Sequence, residues 1–256
     1  MEYPPPFHVD VHSTARDVAR AVSHRVASAL GTKPTLVLGL PTGRTPVHLY
    51  KELAAMNAAG AADFSEASTF NLDEFFGIRR GHPGSYRTYM ERHLFRHVNL
   101  RPERIHLLDG SARDAVMECE NYEDTIRAAG GIDLQLLGIG DNGHIGFNEP
   151  DHSLSSRTHR VKLRPETRRA NASLFSGDWK KVPSEALSVG VGTILRARAI
   201  ILLATGRDKA SCIYRMMYGP VTTRVPASFL QLHSDVTVVL DKAAAAGLRA
   251  TTGGFL

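Results

Sequence analysis

Cysteine is scarce: Cys119 and Cys212 are the only two in 256 residues, and no Cys-x-x-Cys spacing exists. A disulfide framework and a thiolate-held zinc are thereby excluded, and both thiols fall in helix-like segments where buried, inert sulfur is expected. No apolar run approaches the roughly 20 residues needed to cross a bilayer. The start, Met1-Glu2-Tyr3-Pro4-Pro5-Pro6-Phe7, lacks the basic and apolar regions of a secretory signal. A cytoplasmic protein with no membrane partner is expected. Also absent are a Walker phosphate loop, the Gly-x-Ser-x-Gly elbow of serine hydrolases, a zinc finger, an RNP-type aromatic motif and an evident helix-turn-helix. Internal repeats and low-complexity linkers are missing too, and the small-residue tail from Ala243 to Gly254 reads as loosely held.

What is present suffices for a full core. With 43% hydrophobic and 22% charged residues, 1–256 reads as one globular domain. The net charge of +5 suits an anionic partner. Lys and Arg are scattered, with a local excess only over 157–169, so a small phosphate ester is expected rather than nucleic acid.

Hydrophobic periodicity predicts alternating helices and strands. Ser13 or Thr14 caps a helix carrying Val18, Val22, Val26 and Leu30, and a buried strand follows at Thr35–Leu38. Further strands are expected at Ser68–Leu72, Ile105–Leu108, 132–137, Leu187–Val191, Ala199–Ala204 and Val236–Leu240. Between them lie helices near 47–54, 84–95, 112–129 and 166–175, and one after Lys209. The fold class is α/β: a mostly parallel sheet with helices on both faces, a Rossmann-like three-layer sandwich. In such sheets ligands gather at the carboxyl ends of the strands.

Four strand-end loops carry chemistry. Gly138-Ile139-Gly140-Asp141-Asn142-Gly143-His144-Ile145-Gly146-Phe147-Asn148-Glu149-Pro150 places a histidine among acidic and amide side chains in a glycine-rich turn. Gly143 and Gly146 free the backbone for close approach, while Asp141, Asn142 and Glu149 can fix the imidazole tautomer and raise its basicity. Asp73 and Glu74 end the strand before them, so one of the two carboxylates is a candidate general base. Thr42-Gly43-Arg44-Thr45 between a strand and a helix offers N–H groups, hydroxyls and a helix N-terminus to a phosphate, and Thr205-Gly206-Arg207-Asp208-Lys209 supplies a cation. No second histidine lies at helical spacing from His144, and His82, His152 and His159 would need tertiary coincidence, so no metal is expected.

Several blocks in order resemble the glucosamine-6-phosphate deaminases, which are related in fold to the 6-phosphogluconolactonases. They are Leu38-Gly39-Leu40-Pro41-Thr42-Gly43-Arg44-Thr45-Pro46, Phe70-Asn71-Leu72-Asp73-Glu74-Phe75, His82-Pro83-Gly84-Ser85-Tyr86, Gly143 to Pro150, Ser188 to Thr193 and Leu230-Gln231-Leu232-His233. The resemblance implies conversion of D-glucosamine 6-phosphate and water to D-fructose 6-phosphate and ammonium without metal or organic cofactor. His144, oriented by Glu149 and Asn142, would open the sugar ring; Asp73 would carry the C2 proton to C1. Thr42, Gly43, Arg44, Thr45, Glu74, Gly138 and Lys209 would bind substrate. The chain departs from the family at Asn142, where an aspartate is usual, at Arg44 in place of a small residue, and at Ser173 in place of an arginine. Arg168 or Arg169 is expected to substitute for that arginine. His159-Arg160-Val161-Lys162 keeps the activator-site basic cluster only loosely, so activation by N-acetylglucosamine 6-phosphate is expected to be weak or absent. Lactone hydrolysis and a non-catalytic sugar-phosphate sensor are the alternatives, and homo-oligomerisation is left open.

Overall fold

Thr14 accepts from the Asp17 backbone N–H and has its own N–H bound by the Asp17 carboxylate, a capping box that starts the first helix. The computed structural model describes residues 7–248. Its strands are β1 (Phe7–His12), β2 (Val37–Leu40), β3 (Ser68–Asn71), β4 (Asp73–Phe75), β5 (Ile105–His106), β6 (Leu134–Leu137), β7 (His159–Lys162), β8 (Glu185–Ser188), β9 (Ala199–Ala204) and β10 (Val236–Asp241). The α-helices are α1 (Ala15–Thr32), α2 (Pro46–Ala58), α3 (Tyr86–His93), α4 (Ala115–Ala128), α5 (Pro165–Ala170), α6 (Val191–Leu195) and α7 (Ala210–Tyr218).

Seven strands form a parallel sheet in the order β1-β10-β9-β6-β2-β3-β5. Alternate side chains feed two cores. Leu38, Leu40, Leu134, Leu136, Ile201 and Leu203 pack with α1, α2 and α3, while Val37, Leu137, Ile200, Leu202, Val238 and Leu240 pack with α4 and α7. Burial on both faces explains why these strands read as continuous apolar runs, and each such side chain contributes about 1.5–3 kcal/mol. The three layers match the expected architecture.

From β2 the chain steps outward to β3 and β5, then returns to place β6 on the other side of β2. The carboxyl ends of β2, β3, β6 and β9 thus border one switch point, the usual place for a ligand crevice. All four candidate loops leave from these ends.

A second, antiparallel sheet, β4-β8-β7, rises from that edge. It covers a satellite core of Phe75, Tyr86, Phe147, Leu163 and Phe175, with Phe75 and Tyr86 centroids 4.8 Å apart and Tyr86 stacked on Phe147 at 5.8 Å. The structure corrects the sequence reading here. Asp73-Glu74 is the start of a strand rather than a loop, because Asp73 pairs with Ser188 and Glu74 with Leu187. The basic segment at 157–164 contains β7, and the strand expected at Leu187–Val191 lies earlier, at Glu185–Ser188, with α6 beginning at Val191. The helix expected over 166–175 is split into α5 and a 3-10 turn, Ala172–Phe175. β1 follows the proline-rich start and was not expected. Of the tail thought loose, Ala244–Gly247 forms a 3-10 turn with Ala244 fully buried, and 249–254 lies outside the described residues.

Candidate active site

Asp73 is held where the two sheets meet. It is 6% exposed, and among the described residues its Oδ1 has no hydrogen-bond partner. Burial pushes its pKa up to about 8, the neighbouring Glu74 adds to the rise and Thr42 opposes it. A solvent-poor carboxyl with an unused oxygen is suited to exchanging a proton near neutral pH.

Glu74, adjacent in sequence, does a different job. Its Oε1 accepts from the backbone N–H groups of Phe75 and Tyr86, both at 2.9 Å, and Oε2 accepts from Arg87 N–H at 3.0 Å. Two of those donors open α3, so the carboxylate sits at that helix's positive end. Burial raises its pKa and the three donors counter the rise. Expected to bind substrate, Glu74 has both oxygens engaged with backbone.

The imidazole of His144 rests on Gly140. A Cβ at position 140 would lie 2.0 Å from His144 Cε1, so the ring occupies the space that any side chain would fill. Asn142 sets the tautomer. Its Oδ1 lies 3.1 Å from His144 N–H, a group that can only donate, and 2.7 Å from Nδ1. The atom facing the ring is therefore the amide oxygen, Nδ1 carries the proton, and Nε2 keeps its lone pair as the base. Burial first and the Lys209 cation second pull the His144 pKa down to about 4, and Asp141 works against them. The loop packs on Asp73: a Cβ at Gly146, whose φ is +57°, would stand 3.7 Å from Asp73 Oδ2 and 3.1 Å from Ser188 Oγ.

Lys209 ends a 3-10 turn (Arg207–Lys209) after β9, and its ammonium is paired with Asp141. Gly206, at φ +95°, gives its N–H to the Asp241 carboxylate and so ties that turn to β10. Across the edge, Gly43 adopts φ +113° and its carbonyl accepts from Tyr89 OH at 2.6 Å. The Thr45 side chain makes no cap bond to α2, which opens with Pro46, and the Arg44 side chain is exposed. Gly138, at the end of β6, has open space where a Cβ would be.

Glu149 is drawn elsewhere. Its carboxylate is 3.3 Å from Arg164 Nε, its Oε1 accepts from Arg164 N–H at 3.4 Å, and no hydrogen bond joins it to His144. Burial raises its pKa. Neither arginine expected to replace the one missing at Ser173 is uncommitted. Arg168 donates to the carbonyls of Val182 and Lys180, and Arg169 lies 5.0 Å over the Trp179 ring and 3.7 Å from Glu166. Arg160 is likewise bound to Glu185 through Nε at 2.9 Å and Nη2 at 2.5 Å. Sequence reasoning missed Tyr86, whose hydroxyl donates to Asn171 Oδ1 at 3.1 Å, and Ser188, which accepts from Phe147 N–H at 3.0 Å. Their only sequence signal was membership of the motif blocks.

Residues 10–239 match the family model of glucosamine-6-phosphate isomerases/6-phosphogluconolactonase. The chain belongs to this family. It is 51% identical over 235 residues to a glucosamine-6-phosphate deaminase of Halothermothrix orenii, covering 92% of this chain and 97% of the relative. It is 49% identical over 228 residues to glucosamine-6-phosphate deaminase 2 of Bacillus subtilis, covering 89% and 92%. A solved monomeric glucosamine-6-phosphate deaminase superposes with TM-score 0.91 at 40% identity, over 94% of this chain and all of that one. The 6-phosphogluconolactonase of Trypanosoma cruzi shares the fold, with TM-score 0.79 at 20% identity over 97% and 99% of the two chains. Among the described residues no helix is long and apolar enough to cross a membrane.

Proposed function

We propose that this member of the family is a glucosamine-6-phosphate deaminase, converting D-glucosamine 6-phosphate and water to D-fructose 6-phosphate and ammonium. The observation that carries this is the packing of the His144 loop, at Gly146, against Asp73, so that one strand-end edge presents an imidazole with a free Nε2 lone pair and a buried carboxyl with an unused oxygen. His144 Nε2 takes the anomeric hydroxyl proton and the ring oxygen receives one, which opens the ring. Asp73 then removes the C2 proton while the substrate's ammonium gives one to O1, forming the enolamine, and Asp73 returns its proton at C1, which leaves a protonated C2 ketimine. Water adds to that carbon and ammonium leaves. The phosphate is held by Lys209 and by the Thr42–Thr45 backbone and hydroxyls at the start of α2. Asn142 fixes the tautomer without adding charge, and Glu149 acts through Arg164. A cytoplasmic location is part of this proposal.

Ammonium release is the decisive measurement, run on glucosamine 6-phosphate, galactosamine 6-phosphate and N-acetylglucosamine 6-phosphate. Release from the first, none from the acetylated sugar and loss in Asp73→Asn are expected. Hydrolysis of 6-phosphogluconolactone with no ammonium from any amino sugar would overturn the proposal.

A further inference from the structure

The ion pair beside the histidine is lopsided. Lys209's side chain is 14% exposed, whereas that of Asp141 is 70% exposed. The cation is thus sunk into the strand-end crevice while its anion hangs at the rim, where water can solvate it as well as Lys209 does. Asp141 has only one other recorded contact, its carbonyl accepting from Arg215 Nη2 at 3.2 Å, so its carboxylate answers to Lys209 alone among the described residues. Its loop can let it go: Gly140 precedes it, and Gly143 follows at φ +90°, a conformation that favours glycine.

From this asymmetry we infer that Asp141 is a resident counter-anion for Lys209, which a phosphate ester displaces on binding. The inference rests on the proposed reading that Lys209 holds the substrate's phosphate. Lys209 and the Thr42–Thr45 loop follow β9 and β2, which flank β6 in one sheet, so a dianion with three peripheral oxygens has acceptors for both, whereas a lone carboxylate offers no more than Asp141 already supplies. Asp141 therefore sets a threshold that dianionic phosphate esters pass and simple carboxylates and unphosphorylated sugars do not. It weakens binding of every ligand at Lys209, and specificity is gained in return.

Asp141→Asn, Lys209→Gln and the double variant test this, with inorganic phosphate as probe in calorimetry and as competitor in the ammonium assay. In Asp141→Asn, KM for glucosamine 6-phosphate and the dissociation constant of phosphate should both fall about two- to fivefold, the range an exposed ion pair is worth. Acetate, inert toward the wild type, should begin to inhibit. Lys209→Gln should weaken phosphate strongly, and adding Asp141→Asn to it should bring no gain. If Asp141→Asn leaves both constants unchanged or raises them while Lys209→Gln abolishes phosphate binding, Asp141 positions Lys209 or is idle, and the displacement is wrong. If Lys209→Gln binds phosphate normally, the reading of Lys209 itself fails, and the inference fails with it. Thermal melts of all three variants separate these outcomes from misfolding.

Discussion

Replacing Asp73 by Asn should stabilise the protein, and the gain should depend on pH. The carboxyl's pKa rises from 3.8 to about 8 on folding. A folded value above the unfolded one means the wild-type contribution is fully present below 3.8 and is lost as pH rises through 8. At about 1.4 kcal/mol per unit, the opposition to folding reaches about 6 kcal/mol at the alkaline end. Part of the rise comes from Glu74, whose own ionisation becomes easier beside a neutral amide, and the Asn N–H groups need acceptors in a buried place where Asp73 Oδ1 has no hydrogen-bond partner among the described residues. A measured gain of about 2–5 kcal/mol above pH 8, shrinking toward zero near pH 4, is therefore expected. Urea unfolding of the two proteins at several pH values, with equal m-values, reads the difference directly. Ammonium release should fall at least about a thousandfold, since no general base replaces the carboxylate. A pH-independent difference, or a wild type that gains on the variant at alkaline pH, would refute the assignment of a raised pKa to burial.

Gly140→Ala sets a methyl within the space of the His144 ring, so turnover should drop at least about tenfold, with calorimetric affinity for inorganic phosphate kept. Asn142→Asp places an anion 2.7 Å from Nδ1. The His144 pKa should rise by roughly one to three units, seen in the ring's proton NMR titration, and the acid limb of kcat/KM should move upward with it. Glu74→Gln keeps one acceptor for three backbone donors and should cost about 1–3 kcal/mol in urea unfolding, with α3 loosened at its first turn.

The main sheet was legible because parallel strands buried on both faces are short apolar runs, such as Ala199–Ala204. β1 was not, since its residues alternate a few apolar side chains with His8, Asp10 and His12 at the sheet edge. β7 failed in a similar way: one side of His159–Lys162 faces solvent and its charges resembled a binding patch. Asp73–Phe75 is a strand only by virtue of Ala186, Leu187 and Ser188, more than 100 residues on, a pairing no local pattern encodes. The residues of the site were legible as motifs, but their division of labour was not. Glu74 serves a helix beginning twelve residues later, and Glu149 answers to Arg164, because tertiary proximity assigns partners that sequence adjacency does not.

The two central groups titrate in inverted order, with the carboxyl near 8 and the imidazole near 4, and burial is the leading cause for both. At neutral pH the imidazole is therefore uncharged and the carboxyl mostly protonated, so Asp73 has to shed its proton before it can act as a base. Lys209 is the second reason His144 is a weak base, and Asp141 offsets it. A phosphate dianion arriving at Lys209 would neutralise that cation at least as well as Asp141 does. Exchange of one anion for the other thus keeps or raises the basicity of Nε2 when substrate is present, while a ligand that leaves Lys209 bare lowers it. The same cation that would hold the phosphate links its arrival to the proton affinity of the proposed ring-opening base, and the uncharged Asn142 leaves that link as the main electrostatic control on His144.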